Sequence, residues 1–305
     1  MSDEKRSRTW LWILIGGGAF FLFVLAVFAL VYLTLRAGGE QSSLSSAFGS
    51  KIGVVDLEGV IVDPDTVVPE LKKFADDDSI KAIILKVNSP GGGAAASEEI
   101  YREVKRIRDE KKKRIVASIG TLGASGAYYV SSGTNKIYAE GGSLVGSIGV
   151  IMEWVNYGDL LRWAKLKPEA IYTGEFKDTG DPAREMTPVE RAYLQSLADN
   201  MYGQFVQAVA DGRHQKVADI KAIANGKVWT GEQALPLHLV DQIGDFQDAV
   251  NDTAKAVGIS GEPVLVHPEK DRKTLFDILF GDVSKWLPSQ DKLLDRHIGF
   301  YYLWQ

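Results

Sequence analysis

Arg114-Ile115-Val116-Ala117-Ser118-Ile119-Gly120-Thr121-Leu122-Gly123-Ala124-Ser125-Gly126-Ala127-Tyr128-Tyr129-Val130 passes from an apolar, β-branched run through small residues into two aromatics. The first part, Arg114 to Gly120, reads as a buried strand. Ser125 to Val130 reads as the first turns of a helix that carries its aromatics into a core. A serine is thereby placed between small residues at a strand-to-helix junction. Small neighbours let a substrate carbonyl reach its hydroxyl, and the unpaired N–H groups of a helix start face developing negative charge. A G-x-S-G turn of this kind also serves plain packing, so the serine gains meaning only from other residues.

Outward from this stretch, strands and helices alternate. Ile52 to Val62 reads as strand, Pro69 to Asp77 as helix, Ala82 to Val87 as strand, and Ala96 to Lys111 as helix leading into the strand at Arg114. This is the pattern of an α/β domain with a mostly parallel sheet and flanking helices. Short strands are expected at Lys136 to Ala139, Ile148 to Met152 and Ala170 to Thr173. Helices are expected at Pro188 to Gly212, Val217 to Ala224 and Asp245 to Val257, and a last strand at Pro263 to His267. No internal repeat is visible.

Before the domain lies a different kind of segment. Trp10 to Leu35 holds no charged residue, and at about 1.5 Å per helical residue it is long enough to cross roughly 30 Å of hydrocarbon. It exceeds the apolar core of a cleaved signal peptide, so it reads as an uncleaved transmembrane helix that contacts the lipid bilayer. Lys5, Arg6 and Arg8 precede it and Arg36 alone follows closely, which keeps residues 1–9 in the cytoplasm and everything beyond on the outer side. Residues 36–50, rich in Gly and Ser, form a linker. The folded domain spans 51–268. Residues 269–305 combine an amphipathic piece, Thr274 to Trp286, with the aromatic stretch Phe300 to Trp304, and read as a packing or oligomer contact.

Composition narrows the chemistry. The 305 residues contain no cysteine, which excludes a thiol nucleophile and Cys-ligated zinc. A net charge of −5 gives no footprint for nucleic acid, and the basic run Lys111-Lys112-Lys113-Arg114 sits where a solvated helix ends.

A serine nucleophile needs a base, and histidine is scarce. The four histidines are His214, His238, His267 and His297, all far downstream of Ser125 in surface or capping contexts. Lysine is the other base. Its amine, with a reference pKa near 10.4, must be brought down by about 3 to serve at neutral pH, a cost of roughly 4 kcal/mol that burial can supply. Lys177, in Thr173-Gly174-Glu175-Phe176-Lys177-Asp178-Thr179-Gly180, lies in a glycine-flanked loop from which a side chain can reach inward; on composition alone a solvated loop lysine is the competing reading. Asn88-Ser89-Pro90-Gly91-Gly92-Gly93 follows an apolar strand and suits an oxyanion turn. It lacks the endings of a phosphate-binding loop, and a simple turn is its other reading.

Together and in this order, Asn88-Ser89-Pro90-Gly91-Gly92, Gly123 to Tyr129, Val145-Gly146-Ser147-Ile148-Gly149-Val150 and Gly174 to Asp178 resemble the signal peptide peptidase A family of membrane-anchored Ser-Lys proteases, within the Clp/crotonase superfold. Gly226 to Ala234 and Leu239 to Gly244 look like the closing segment of that superfold, with His238 where a glycine is usual. The resemblance covers Lys51 to about Gly261. It implies a serine endopeptidase in which Ser125 is the nucleophile, Lys177 the general base and Ser147 the residue that holds the lysine. The backbone N–H groups of Gly126 and of Gly91 or Gly92 would form the oxyanion hole. It further implies no cofactor and no metal, substrates such as signal-peptide remnants and other short membrane-associated peptides, a homo-oligomer, and a place at the inner (plasma) membrane with the catalytic domain outside. Two other readings remain at this point: a catalytically silent assembly protein of the same fold, and a crotonase-like enzyme acting on acyl-CoA.

Overall fold

The alternation of strand and helix closes into a single sheet. A computed structural model describes residues 50–268 and 301–303, together with 22 and 25–27, which are helical. The chain divides after Gly49, and the sheet belongs entirely to the unit Ser50–Gln305. In chain order the elements are β1 (Lys51–Ile61), α1 (Val67–Asp76), β2 (Ile80–Gly93), α2 (Ala94–Asp109), β3 (Arg114–Ala124), α3 (Gly126–Ser132), β4 (Lys136–Ala139), β5 (Leu144–Gly146), α4 (Gly158–Trp163), α5 (Pro188–Gly212), α6 (Val217–Ile223), β6 (Val228–Thr230), α7 (Gly231–Ala234), β7 (Gln242–Ile243), α8 (Phe246–Ala256), β8 (Val264–Val266) and β9 (Tyr301–Leu303).

The main path through the sheet is β6-β5-β3-β2-β1-β8. Among the described residues only β5 with β6 and β2 with β9 run antiparallel. Both faces are covered, as a mostly parallel sheet requires. Ile83, Leu85 and Val87 of β2 join one core with Leu71, Ile100, Tyr128 and Phe205 from the helices. Ala82 and Ile84, on the alternate face, meet Ala249, Val250 and Ala254 of α8.

The sheet forks near its carboxyl edge. β3 pairs with β4 from Val116 to Ile119, then changes partner and pairs with β5 from Leu122 to Ala124. β2 pairs with β3 only as far as Ser89 opposite Gly123. Beyond that, its side facing away from β1 is taken by β9, with Gly91, Gly92 and Gly93 opposite Leu303, Tyr302 and Tyr301.

Several sequence-based expectations change here. β2 and β3 run past Val87 and Ile119 into glycine-rich sequence, because β1, β5 and β9 supply partners that propensity alone does not reveal. The strand expected at Ile148 to Met152 is not formed: β5 ends at Gly146 (φ 89°), and only Ile151 makes an isolated bridge. Ala170 to Thr173 is irregular and exposed, with no strand beside it. The short strands β6 and β7 were not anticipated. The apolar run 10–35 (apart from positions 22 and 25–27), residues 36–49 of the linker and the amphipathic piece Thr274 to Trp286 lie outside the described residues. Among those described, no helix is long and apolar enough to cross a membrane.

Candidate active site

The end of β3 delivers Ser125 to the fork in a strained conformation. Its φ of 53° and ψ of −120° lie outside the regions open to ordinary L-residues, and such a geometry costs on the order of 1–3 kcal/mol unless its surroundings enforce it. Here the surroundings do so. The Ser125 N–H donates to the Gly146 carbonyl at 2.7 Å, and the Ser125 carbonyl accepts from Tyr129 N–H at 2.8 Å. The helix that follows is anchored by the Tyr128 hydroxyl, which donates to the Leu239 carbonyl at 2.8 Å in the buried core.

Gly146 also places Ser147. The residue has a φ of 50°, is 6% exposed, and its N–H donates to the Lys227 carbonyl at 2.8 Å. One backbone hydrogen bond thus separates the two serines, which lie more than twenty positions apart in sequence.

The glycine turn faces the same edge. Gly91 has a φ of 94°, which favours glycine. A side chain at Gly92 would put its Cβ 2.0 Å from the Ile61 carbonyl oxygen, so only glycine fits beside β1. The Gly91 N–H donates to the buried Ser89 hydroxyl at 3.1 Å and is already engaged. Gly92 in turn lies within the sheet, opposite Ile61 of β1 and Tyr302 of β9.

Lys177 stands differently from the buried amine that the sequence suggested. It is exposed, in a run of turns, and among the described residues no hydrogen bond joins it to Ser125. The loop itself is firmly held. The Arg184 guanidinium donates to Asp178 Oδ2 at 2.8 Å and to the Asp178 carbonyl at 2.7 Å, and it grips Glu190 at 2.5 and 2.9 Å. Glu190 closes a capping box with Thr187 at the start of α5. The Arg184 contact, followed by the Thr187 N–H, holds the Glu190 carboxyl down at about 2, against an ordinary 4.5. Phe176 leans on Tyr193 with ring centroids 4.9 Å apart. Sequence reasoning passed over Arg184 and Ser89; the readable signal for the first was Thr187-Pro188-Val189-Glu190, a helix start whose glutamate needs a cation.

The described histidines do not enter the site. His214, His238 and His267 are exposed, and His238 has a φ of 54°, the conformation that a glycine would take more easily.

The segment that leads into the Lys177 loop is apolar and exposed. Val155, Leu160, Trp163, Leu166, Ile171 and Tyr172 are each at least half exposed. Exposure of this extent over one segment marks a surface made for contact.

A strained serine at the carboxyl edge of a mostly parallel sheet, near the glycine-rich end of β2, is an arrangement that a serine hydrolase of α/β architecture can use. Its kind is settled by comparison with known proteins. The sequence profile of peptidase family S49 matches residues 107–260. A putative protease of Methanocaldococcus jannaschii is 34% identical over 276 residues, covering 86% of this chain and 88% of that protein. The putative signal peptide peptidase SppA of Enterococcus faecium is 30% identical over 275 residues, 86% of this chain and 80% of its own length. The chloroplastic serine protease SPPA of Arabidopsis thaliana is 28% identical over 250 residues, 81% of this chain and 36% of that protein. The chain belongs to peptidase family S49, among the SppA-like serine peptidases.

Proposed function

We propose that this chain is a membrane-anchored endopeptidase with a Ser125–Lys177 dyad, acting on signal-peptide remnants and other short or unfolded membrane-associated peptides. The observation that carries the reading is the enforced backbone strain at Ser125, of the kind that clusters at active sites. Ser125 Oγ attacks the peptide carbonyl as the Lys177 amine takes its proton. The N–H groups of Gly126 and of Gly91 or Gly92 receive the oxyanion, and the lysine ammonium then protonates the leaving amine. Water, activated by the same amine, hydrolyses the acyl-enzyme and restores the serine. Ser147 orients the amine.

The exposure of Lys177 adds a condition. The lysine has to be desolvated to work as a base, and the apolar surface around it supplies the means. A second copy of the chain covers that surface and closes the site, so the active form is a homo-oligomer. The run 10–35 anchors the domain on the outer side of the inner membrane, where exported peptides leave their remnants.

The test uses the full chain in detergent with a short apolar fluorogenic peptide. Ser125→Ala and Lys177→Ala each lose at least about a thousandfold in kcat, and Ser125→Ala abolishes labelling by a fluorophosphonate. Full activity in either variant overturns the dyad. Activity that is independent of protein concentration, with a monomeric mass in detergent, overturns the role of the second copy.

A further inference from the structure

A side chain holds the first backbone donor of the glycine turn. Pro90 has no N–H, so the next donor after Ser89 is the Gly91 N–H, and it donates to Ser89 Oγ at 3.1 Å. This is the turn that a serine closes on the amide two residues ahead of it. Ser89 is 0% exposed, and among the described residues its hydroxyl makes no other hydrogen bond. The bond joins no two elements of the fold, so it anchors nothing beyond the turn itself.

Its position is what gives it a role. The last β2–β3 pair is Ser89 with Gly123. Two residues further on, at about 3.3 Å per residue along a strand, lie Gly91 in β2 and Ser125 just beyond β3. The amide that Ser89 holds is therefore level with the nucleophile. It can also turn: Gly91, with a φ of 94° and no Cβ, lets the Pro90–Gly91 peptide rock without a steric penalty.

We propose that Ser89 is a positioning residue that keeps the Gly91 N–H occupied until the oxyanion forms, which makes Gly91 the donor in the turn. This rests on the site assigned above to Ser125. In the free chain the hydroxyl satisfies a donor that burial would otherwise leave unpaired. A neutral substrate carbonyl offers that donor a bond of the same kind and gains nothing by displacing the serine. When Ser125 Oγ attacks and the carbonyl oxygen takes the negative charge, it offers a charge-assisted bond roughly twice as strong, and the N–H moves from Ser89 to the oxyanion. Collapse of the tetrahedral intermediate returns it. The donor thus adds little to substrate binding and most of its strength to the transition state, the difference that raises kcat instead of lowering KM.

The experiment compares the full chain in detergent with Ser89→Ala and Ser89→Cys on a short apolar fluorogenic peptide. Cysteine fills the space of the hydroxyl with a weak acceptor, so it separates the hydrogen bond from the void, and it carries the test if circular dichroism shows Ser89→Ala unfolded. Without the hydroxyl, the Gly91 N–H is open to the ground-state carbonyl. In Ser89→Ala, KM falls roughly fivefold with kcat within about twofold, and the inhibition constant of the matching peptide aldehyde falls by the same factor. Ser89→Cys moves both constants in the same direction. A KM that stays or rises in both variants, or a fall in kcat, is what a merely structural serine would produce and overturns the proposal. Exchange of the Gly91 amide hydrogen, read by mass spectrometry in the Ser125→Ala background, is faster without the hydroxyl, and equal exchange also overturns it. Serine-dependent hydrolysis with unchanged KM refutes the role of Ser89 and keeps the peptidase. Absence of hydrolysis by the parent chain, with exchange at Gly91 still dependent on Ser89, refutes the peptidase assignment and reduces the bond to a plain turn.

Discussion

Replacing Arg184 by methionine tests the clamp that holds the Lys177 loop. Arg184 joins the Asp178 carboxylate and carbonyl to Glu190, whose side chain is only 6% exposed. The Glu190 carboxyl falls from 4.5 to about 2 in the folded chain. At about 1.36 kcal/mol per pH unit, the ionised form is favoured by roughly 3 kcal/mol on folding. Arg184 itself is one-third exposed, so water recovers part of this when the arginine is lost, and Arg184→Met is expected to destabilise by about 1–3 kcal/mol. For a domain of this size that lowers Tm by roughly 4–8 °C per 2 kcal/mol.

The pH dependence gives the sign. A carboxyl with a depressed folded value stabilises fully above the unfolded value of 4.5 and loses that contribution as pH falls towards 2. The parent chain should weaken steadily across this window, and Arg184→Met should weaken less. Urea unfolding at pH 7, 4.5 and 3, run as a double-mutant cycle with Glu190→Gln, measures the coupling. A coupling below about 0.5 kcal/mol, or identical pH slopes in parent and variant, refutes the reasoning. Because the clamp sets the position of the lysine, kcat should also fall at least about tenfold at 25 °C with KM within about twofold. Arg184→Lys, which cannot make the forked contact, should restore little of it.

Other substitutions separate strain, space and hydrogen bonding. Ser125→Gly should be more stable than Ser125→Ala by about 1 kcal/mol, since glycine accepts the positive φ, while both are inactive; equal midpoints in urea count against strain at the serine. Gly92→Ala drives a Cβ to 2.0 Å from the Ile61 carbonyl oxygen. It should cost at least about 2 kcal/mol and abolish hydrolysis even where the protein stays folded, checked by calorimetry and the fluorogenic assay. Tyr128→Phe leaves the buried Leu239 carbonyl without its donor at 2.8 Å. A loss of about 1–2 kcal/mol with kcat nearly unchanged is expected, and a stability equal to the parent contradicts the anchoring role.

The α/β alternation was legible because each main strand is an apolar run bounded by turn residues, as in Ala82 to Val87, and each helix carries apolar residues at helical spacing. Ser125 and the glycine turn were legible because both depend on small residues at fixed places. The continuation of β2 through Ser89-Pro90-Gly91-Gly92-Gly93 was not, since nothing in that composition favours a strand; distant partners impose it. The apolar residues at 148–152 and 170–173 suggested strands because an apolar run reads alike whether it packs into a core, as Ile148 does, lies exposed, as Ile171 does, or pairs in a sheet. Arg184 escaped notice because its value lies in two carboxylates brought together by a fold, and sequence shows only one at helix-capping distance.

The bonds that shape Ser125 also set a sequence of events. Its N–H is held by Gly146, and the next residue, Ser147, is held by Lys227. A chain emerging from synthesis has Ser125 long before it has Lys227, and closing so distant a contact is slow. Ser125 therefore takes its bent form only when most of the domain has been made and docked. An incomplete or half-folded chain carries a relaxed serine, and any chemistry that depends on the bend waits until the domain is whole.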